Sequence, residues 1–140
     1  MKIDHIGYLC KDIKKTIQTF LQLGFKQDSE IFEDTASDGE NKARNVYICF
    51  LKNEDICVEL VSPINELSDV YATINRQGEG PYHICFQVEN LEESIQSLKI
   101  EGWMVLKRPA KAVAFNYKRV VFLFKRGAGT IELVEKGADI

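Results

Sequence analysis

The chain contains an internal repeat, and this repeat limits the fold more strongly than any other feature of the sequence. When the chain is shifted by 78 positions, a short apolar stretch beginning at His5 aligns with one beginning at His83. Apolar residues at helical spacing follow each stretch, and Gly24 and Gly102 end the two patterns, which predicts a strand and then a helix in each half. The identical pairs in this alignment are His5 with His83, Ile6 with Ile84, Ile17 with Ile95, Gln18 with Gln96, and Gly24 with Gly102.

The later part of each half has the pattern of further strands. The predicted strands are 25–32, 45–51 and 56–61 in the first half, and 103–107, 119–124 and 130–134 in the second. Polar or glycine-bearing turns separate the last two strands of each half, as expected for hairpins. Each half is therefore predicted to be a βαβββ module, and the whole chain an α+β protein.

Two segments between the predicted elements have the composition of connections. Residues 63–80 contain proline, asparagine and glycine and are predicted to link module one (1–62) to module two (81–136), with a short helix at 67–74. The polar stretch 35–44 is predicted to be an exposed loop.

Length, charge and cysteine content exclude several classes of protein. A chain of 140 residues suits a single domain spanning 1–140. The 18 Lys and Arg against 21 Asp and Glu give a net charge of −3, so we expect no nucleic-acid partner. The apolar runs are short and no basic, apolar leader opens the chain, so we expect no membrane association and a cytoplasmic location. The four cysteines form no CxxC pair, and we expect them to be reduced.

Two histidines and two glutamates occupy matching positions in the repeat. His5 and His83 lie at the start of equivalent strands, and Glu59 and Glu132 lie in the last strand of each half within the shared pattern aliphatic-Glu-Leu-Val. Side chains alternate along a strand, so equivalent residues can project from equivalent faces. A buried carboxylate is costly unless it is paired, hydrogen-bonded or bound to metal. Taken together, the four residues predict a site for a divalent metal ion.

The alternative interpretation gives each of these residues an ordinary structural role. A single histidine in a strand is usually a hydrogen-bonded sheet residue, and a single glutamate in a strand usually faces solvent. For any one position this interpretation would be preferred. The coincidence of two imidazoles and two carboxylates at related positions favours the metal site.

The motifs around these positions resemble those of the vicinal-oxygen-chelate superfamily over nearly the whole chain. The motifs are DHIGY, VELVSP, GPYHICFQV and TIELVEK. The resemblance implies two βαβββ modules that form an eight-stranded, cup-shaped mixed sheet around one divalent ion, with Ni, Co, Zn and Mn all chemically acceptable. It also implies a homodimer, and a set of metal ligands that consists of His5, Glu59, His83 and Glu132.

Within this superfamily the chain is most similar to short bacterial glyoxalase I enzymes and to methylmalonyl-CoA epimerases. Glyoxalase I, or lactoylglutathione lyase, converts the hemithioacetal of methylglyoxal and glutathione into a lactoyl thioester, whereas the epimerase inverts a carbon of methylmalonyl-CoA. Both reactions remove a proton next to a carbonyl, and the metal stabilises the resulting enediolate or enolate. The resemblance makes Glu132 the first choice for the base, with Glu59 either a fixed ligand or the partner that returns the proton.

Departures from the epimerase pattern favour the glyoxalase-type reaction. Epimerases commonly carry His-Pro-Lys after the RVVFL stretch, where this chain has Phe124 and Lys125, and a glycine-rich segment before it, where this chain has residues 114–117. Some also place a second acid near the position of Tyr47, and tyrosine is a poor base at neutral pH. The epimerase is therefore the alternative prediction, and a non-catalytic, resistance-type binding protein is the second alternative.

Cations are concentrated in and beside the stretch 108–118, which is predicted to be a loop. They are Lys107, Arg108, Lys111, Lys118 and Arg119. Glutathione would need cationic partners for its carboxylates, so Arg108, Lys118 and Arg119 are candidates to bind the substrate. A solvated basic rim is the alternative interpretation. The aromatic residues of the loop indicate either packing or cover over a ligand.

Overall fold

Strand, helix and further strands follow one another in both halves of the computed structural model, which describes residues 1–36 and 43–136. The first half contains β1 (Lys2–Leu9), α1 (Ile13–Leu21), β2 (Lys26–Gln27), β3 (Phe32–Asp34), β4 (Val46–Asn53) and β5 (Ile56–Pro63). Helix α2 (Tyr71–Gln77) leads to the second half, which contains β6 (Gly80–Val88), α3 (Leu91–Ile100), β7 (Met104–Ala112), β8 (Lys118–Lys125) and β9 (Gly129–Glu135). A single 3-10 turn, Val113–Phe115, lies between β7 and β8.

The repeat extends to the residues that begin and end the two longer helices. The side chain of Asp12 accepts a hydrogen bond from the third backbone N–H of α1, and Asn90, 78 positions later, does the same for α3. Such a cap contributes about 1 kcal/mol to helix stability. Gly24 and Gly102 follow the helices with φ angles of 89° and 96°, a conformation that glycine adopts without steric cost. In the described ranges, no helix has the length and apolar character needed to cross a membrane.

The two halves join at their first strands. β1 pairs antiparallel with β6, and the equivalent residues Ile6 and Ile84 lie opposite each other, so an approximate two-fold axis passes between them. On their outer sides, β1 pairs parallel with β5 and β6 pairs parallel with β9. The result is one mixed sheet in the order β2-β4-β5-β1-β6-β9-β8-β7, with β3 also paired to β4. This arrangement confirms the predicted α+β fold.

The sheet has nine strands within the described residues, because the strand predicted at 25–32 is divided into β2 and β3. Both short strands pair with β4. Between them, the hydroxyl of Ser29 accepts a hydrogen bond from the backbone N–H of Phe50 at 2.9 Å. A side chain therefore replaces the backbone partner, which interrupts the ladder and raises the strand count from eight to nine.

Helix α2 begins at Tyr71, which is later than the predicted start near residue 67. Before it, the side chains of Asn65 and Ser68 accept hydrogen bonds from backbone N–H groups two residues ahead, at 2.9 and 3.3 Å. These local bonds hold the backbone in turns and compete with the helix. The polar loop predicted at 35–44 lies partly outside the described residues, since 37–42 are not among them.

Much of the loop predicted at 108–118 is strand, because β7 extends to Ala112 and pairs with β8 up to Lys118. The pairing is irregular on either side of Lys107, between Val105 and Ala110. Such irregularities accommodate Pro109, which has no backbone N–H to donate to the ladder. The connection that remains, 113–117, is short and crosses toward the first half.

Helices α1 and α3 cover one face of the sheet, and the predicted metal ligands lie on the other, where Ile74 of α2 packs with Ile48 and Val61. Helix α1 packs against β4 and β5, and α3 packs against β8 and β9, in two clusters of buried apolar side chains. Alternation along β5 puts Val58 and Leu60 into the α1 cluster, so Glu59 and Val61 project to the opposite face. Burying each such apolar side chain contributes roughly 1.5–3 kcal/mol, which holds this alternation in place.

Candidate metal centre

Four adjacent strands in the middle of the sheet, β5, β1, β6 and β9, each supply one of the predicted ligands. Glu59, His5, His83 and Glu132 are 5%, 1%, 4% and 4% exposed, so none of them is the solvent-facing residue of the alternative interpretation. One nitrogen or oxygen atom from each residue lies within 4.8 Å of the corresponding atoms of the other three. The structure therefore brings together all four side chains.

The donor atoms surround a common point. The Nε2 atoms of His5 and His83 are 3.4 Å apart, and Oε1 of Glu132 lies 3.3 Å and 3.0 Å from them, respectively. Oε1 of Glu59 lies 3.4 Å from Nε2 of His5 and 4.0 Å from that of His83. Ligand atoms about 2.1 Å from one ion are about 3.0–3.4 Å apart at octahedral or tetrahedral angles. Four of these five separations fall in that range, and the fifth, between Glu59 and His83, is longer at 4.0 Å, so the cluster has the dimensions of a site for a shared cation.

Hydrogen bonding within the protein does not satisfy this cluster. Among the described residues, Oε1 of Glu132 and Nδ1 of His83 are buried atoms without a hydrogen-bond partner. A buried polar atom in this state costs about 1–3 kcal/mol, and a carboxylate costs more. Two neutral imidazoles and two carboxylates would balance the charge of a divalent cation, so the donor set fits such an ion.

Asp4 determines which nitrogen of His5 faces the centre. Nδ1 of His5 lies 2.8 Å from Oδ2 of Asp4, so Nδ1 donates to Asp4 and Nε2 faces the centre. Burial acts to lower the pKa of His5, but the charge of Glu59 and the hydrogen bond to Asp4 outweigh it and raise the pKa, so a metal ion would displace a proton from Nε2.

Glu132 is held in its carboxylate form. Burial acts to raise the pKa of Glu132, but the charge of His83 and the close approach of the His5 imidazole outweigh this effect and lower it. An ionised carboxylate is the form that a metal ion or a proton-transfer step requires.

Phenylalanines at equivalent positions also contact the two histidines, and no sequence pattern singles them out. Phe50 lies opposite Glu59 in the β4–β5 pair, and Phe122 lies opposite Glu132 in the β8–β9 pair. The ring of Phe50 contacts His5 edge-on at a centroid distance of 6.0 Å, and Phe122 contacts His83 at 5.3 Å. Only the pairing register of the strands reveals them.

A cavity of about 240 Å³ opens onto the two carboxylates. Apolar side chains of the second face form much of its wall, including Ile48, Val61, Val120 and Phe122. Charged side chains also line it, and these are Asp34, Arg44, Asp69, Arg76 and Lys107. A ligand in this cavity would have one part in apolar surroundings near the carboxylates and another part near charged groups.

Arg44 is a residue of this wall that the sequence pattern did not indicate. Its Nη1 atom donates to Oδ2 of Asp34 at 3.2 Å and to the backbone carbonyl of Lys111 at 2.8 Å. The Arg44 side chain is only 11% exposed, and Asp34 is 2% exposed. Arg44 lies in a polar stretch of sequence, where arginine is ordinarily a solvated residue, so no local signal could have found it.

The predicted substrate-binding cations differ in whether they lie beside the cavity. Arg108 lines a small pocket that adjoins it and shares Lys107 with it. Within the described part of the chain, the cavity wall includes neither Lys118 nor Arg119. Arg119 instead donates hydrogen bonds to Glu92 and Glu135.

The family model of the Glyoxalase/Bleomycin resistance protein/Dioxygenase superfamily matches residues 4–135 of this chain. The chain therefore belongs to this superfamily, and the resemblance stated from its motifs is confirmed.

Particular relatives share the whole fold at low sequence identity. The uncharacterized protein YqjC of Bacillus subtilis (strain 168) is 25% identical over 143 residues, which cover 99% of this chain and 94% of YqjC. The crystal structure of the hypothetical protein BH1468 from Bacillus halodurans C-125 has a TM-score of 0.78 at 27% identity and covers 99% of this chain and 96% of its own. A Streptomyces coelicolor methylmalonyl-CoA epimerase variant in complex with 2-nitronate-propionyl-CoA has a TM-score of 0.74 at 24% identity, with 99% and 96% coverage.

Proposed function

We propose that this protein is a metal-dependent isomerase of the glyoxalase I type, which converts the hemithioacetal of methylglyoxal and a thiol into a lactoyl thioester. The observation that carries the proposal is the convergence of two imidazoles and two carboxylates at one point, with both carboxylates on the wall of a cavity. Membership of a superfamily named in part for glyoxalases supports it.

We assign His5, Glu59, His83 and Glu132 as the ligands of one divalent ion, with Ni, Co, Zn and Mn as candidates. Their burial, their separations and the unpartnered Oε1 atom of Glu132 support this assignment. When bound, such an ion would supply Lewis-acid stabilisation of negative charge on a substrate oxygen. The surrounding phenylalanines would exclude water and so strengthen electrostatic interactions within the centre.

Glu132 is the proposed base. It takes the proton from the carbon that bears the sulfur and returns it to the neighbouring carbonyl carbon, while the hydroxyl proton of the first carbon moves to the former carbonyl oxygen. Proton and electron pair stay within the substrate, so the isomerisation needs no oxidant or reductant. The carboxylate form of Glu132 and its place on the cavity wall support this role. Glu59 is either a fixed ligand or the partner that returns the proton.

The charged part of the cavity is the proposed site for the anionic portion of the thiol. Arg44, Arg76 and Lys107 line this part, and Arg108 lines the adjoining pocket. Guanidinium groups bind carboxylates and phosphates through paired hydrogen bonds, so a thiol that carries such groups is favoured over a neutral one. Lys118 and Arg119 stay candidates from the sequence alone.

Methylmalonyl-CoA epimerisation is the second candidate reaction. Glu59 and Glu132 both line the cavity, and inversion of a carbon needs one proton acceptor and one proton donor on its opposite faces. Tyr47 does not supply an additional base for epimerisation, because its side chain packs with the α1 cluster on the other face of the sheet.

Metal reconstitution followed by two assays distinguishes the candidates. Metal-free protein is loaded separately with Ni, Co, Zn and Mn, and the bound metal is measured by elemental analysis. Thioester formation from methylglyoxal and glutathione supports the isomerase, and deuterium uptake at the acyl carbon of methylmalonyl-CoA supports the epimerase. Stoichiometric metal without either activity would leave both reactions unsupported, and absence of metal would favour the resistance-type binding protein.

We further propose a homodimer, as the resemblance implies. β2 and β7 are at the ends of the sheet order, and exposed sheet edges favour association between chains. Light scattering of the metal-loaded protein in solution tests the dimer, and a monomer mass over a tenfold range of concentration would contradict it.

A further inference from the structure

Phe115 lies over the metal centre although it comes from outside the strands that form it. It is the last residue of the 3-10 turn Val113–Phe115. Its ring stacks on the imidazole of His5, with a centroid distance of 5.3 Å and an interplanar angle of 18°. The same ring contacts Phe50 at 6.1 Å. A turn of the second half therefore covers the histidine of the first half.

This contact breaks the symmetry of the centre. His5 and His83 each have an edge-on phenylalanine from their own half, Phe50 and Phe122. His83 also meets Tyr82 at a steep interplanar angle of 77°. Among the described residues, only His5 has a ring stacked flat on it, and this ring belongs to Phe115. The His5 side of the centre is therefore closed in a way that the His83 side is not.

The backbone after Phe115 holds the ring in place. Asn116 and Tyr117 have φ angles of 54° and 64°, in the left-handed region that residues other than glycine rarely adopt. The N–H of Tyr117 donates to the carbonyl of Ala112 at 2.9 Å, and Ala112 and Lys118 pair in the β7–β8 ladder. The turn that carries Phe115 is thus closed by a hydrogen bond at the end of the β7–β8 ladder, with the Phe115 ring stacked on His5.

We propose that Phe115 is a specificity-determining residue that limits the size of the substituent on the reacting carbon. The inference rests on the proposed isomerase function. Phe115 lines the same cavity as Glu59 and Glu132, so a substrate carbon next to these carboxylates lies beside its ring. A methyl substituent fits there, whereas an aryl substituent on the His5 side collides with the Phe115 ring, which packs against His5 and Phe50.

Truncation of Phe115 tests the proposal through a ratio of two substrates. In Phe115→Ala and Phe115→Leu, kcat/KM is measured for the glutathione adducts of methylglyoxal and phenylglyoxal. We expect the phenylglyoxal to methylglyoxal ratio to rise at least tenfold in the alanine variant and less in the leucine variant. Phe32→Ala is the matched control, because Phe32 also stacks on Phe50 but does not line the cavity within the described residues. Its ratio should stay unchanged.

A binding readout separates this proposal from the proposed reaction. Hydroxamates chelate zinc through two oxygens, so calorimetric titration of the zinc-loaded proteins with acetohydroxamate and benzohydroxamate measures the space beside the centre without turnover. We expect Phe115→Ala to increase the affinity for benzohydroxamate at least tenfold relative to the affinity for acetohydroxamate. If this change in relative affinity is seen but neither glutathione adduct is turned over, the proposed isomerase function is overturned and the role of Phe115 is supported. Turnover with unchanged ratios in both assays, or no hydroxamate binding at all, would overturn the role of Phe115. If the alanine variant does not fold, the leucine variant gives the same test.

Discussion

Gly7 lies directly opposite His83 in the antiparallel pair of β1 and β6, and the imidazole of His83 occupies the space above it. A Cβ atom on residue 7 would be 2.2 Å from Cε1 of His83 and 2.5 Å from both of its ring nitrogens. The equivalent residue of the second half, Cys85, lies opposite His5. Each histidine therefore projects over a small residue of the other half.

Gly7→Ala should displace the His83 ring and weaken metal binding at least tenfold. Gly7 is a buried strand residue without a left-handed φ angle, so alanine meets no backbone strain, and the change acts through the ring. Overpacking of this kind also costs about 1–3 kcal/mol of stability. Calorimetric titration with zinc and urea unfolding measure the two effects. Ile3→Ala, an exposed position on the same strand, is the control, and equal zinc affinity in Gly7→Ala and the wild type would contradict the assignment of His83.

Glu132→Gln should lower kcat by roughly 10²–10⁴-fold while part of the metal is retained, because the amide keeps one oxygen but cannot accept the proton. Glu59→Gln is the comparison. If Glu59 is a fixed ligand, this variant loses metal and activity together, and added metal restores both in parallel. Elemental analysis and the thioester assay on the same samples give the result. Full activity in Glu132→Gln would remove Glu132 from the proton transfer.

Arg44→Met should destabilise the protein by about 3 kcal/mol, because it leaves the carboxylate of Asp34 buried without its charged partner. The bond from Arg44 to the carbonyl of Lys111 is lost as well. Urea unfolding of both proteins measures the change. The double variant with Asp34→Asn should recover part of the loss, and a single variant as stable as the wild type would show that water replaces the guanidinium.

Arg119→Gln should have a pH-dependent effect on stability. Its hydrogen bonds lower the pKa of Glu135 and of Glu92 below the ordinary value of 4.5. A carboxylate with a lowered folded-state pKa contributes stability above its unfolded pKa and loses it as the pH falls through the folded pKa. The stability difference between wild type and Arg119→Gln should thus be greatest near neutral pH and decrease below about pH 4.5. Arg119, Glu92 and Glu135 are all at least partly exposed to solvent. The stability difference should therefore also decrease in high salt. Urea unfolding from pH 7 to pH 3 checks this, and a difference independent of pH would contradict it.

The fold was largely predictable from the repeat. Hydrophobic spacing between His5 and Gly24 is a local property of the chain, and it recurs 78 positions later with the same helix start and stop. The division of the strand at 25–32 was not predictable, because it depends on the hydroxyl of Ser29 meeting the backbone of a different strand.

The candidate centre was predictable as a set of residues, because four chemically suited side chains occupy equivalent repeat positions on alternating strands. Its surroundings were not. Phe115 reaches His5 only because the β7–β8 turn crosses to the other half, and Arg44 is buried only because Asp34 and the end of β7 enclose it.

The sequence by itself determined the repeated order of strands and helices and the chemical types of the four donors, since these follow from local periodicity and from composition at fixed spacing. Tertiary structure alone decided that the donors meet at one point, that Phe115 closes one side of the centre and that charged groups lie along the cavity. These features depend on contacts between residues far apart in the chain, and no local pattern specifies the register in which β1 and β6 pair.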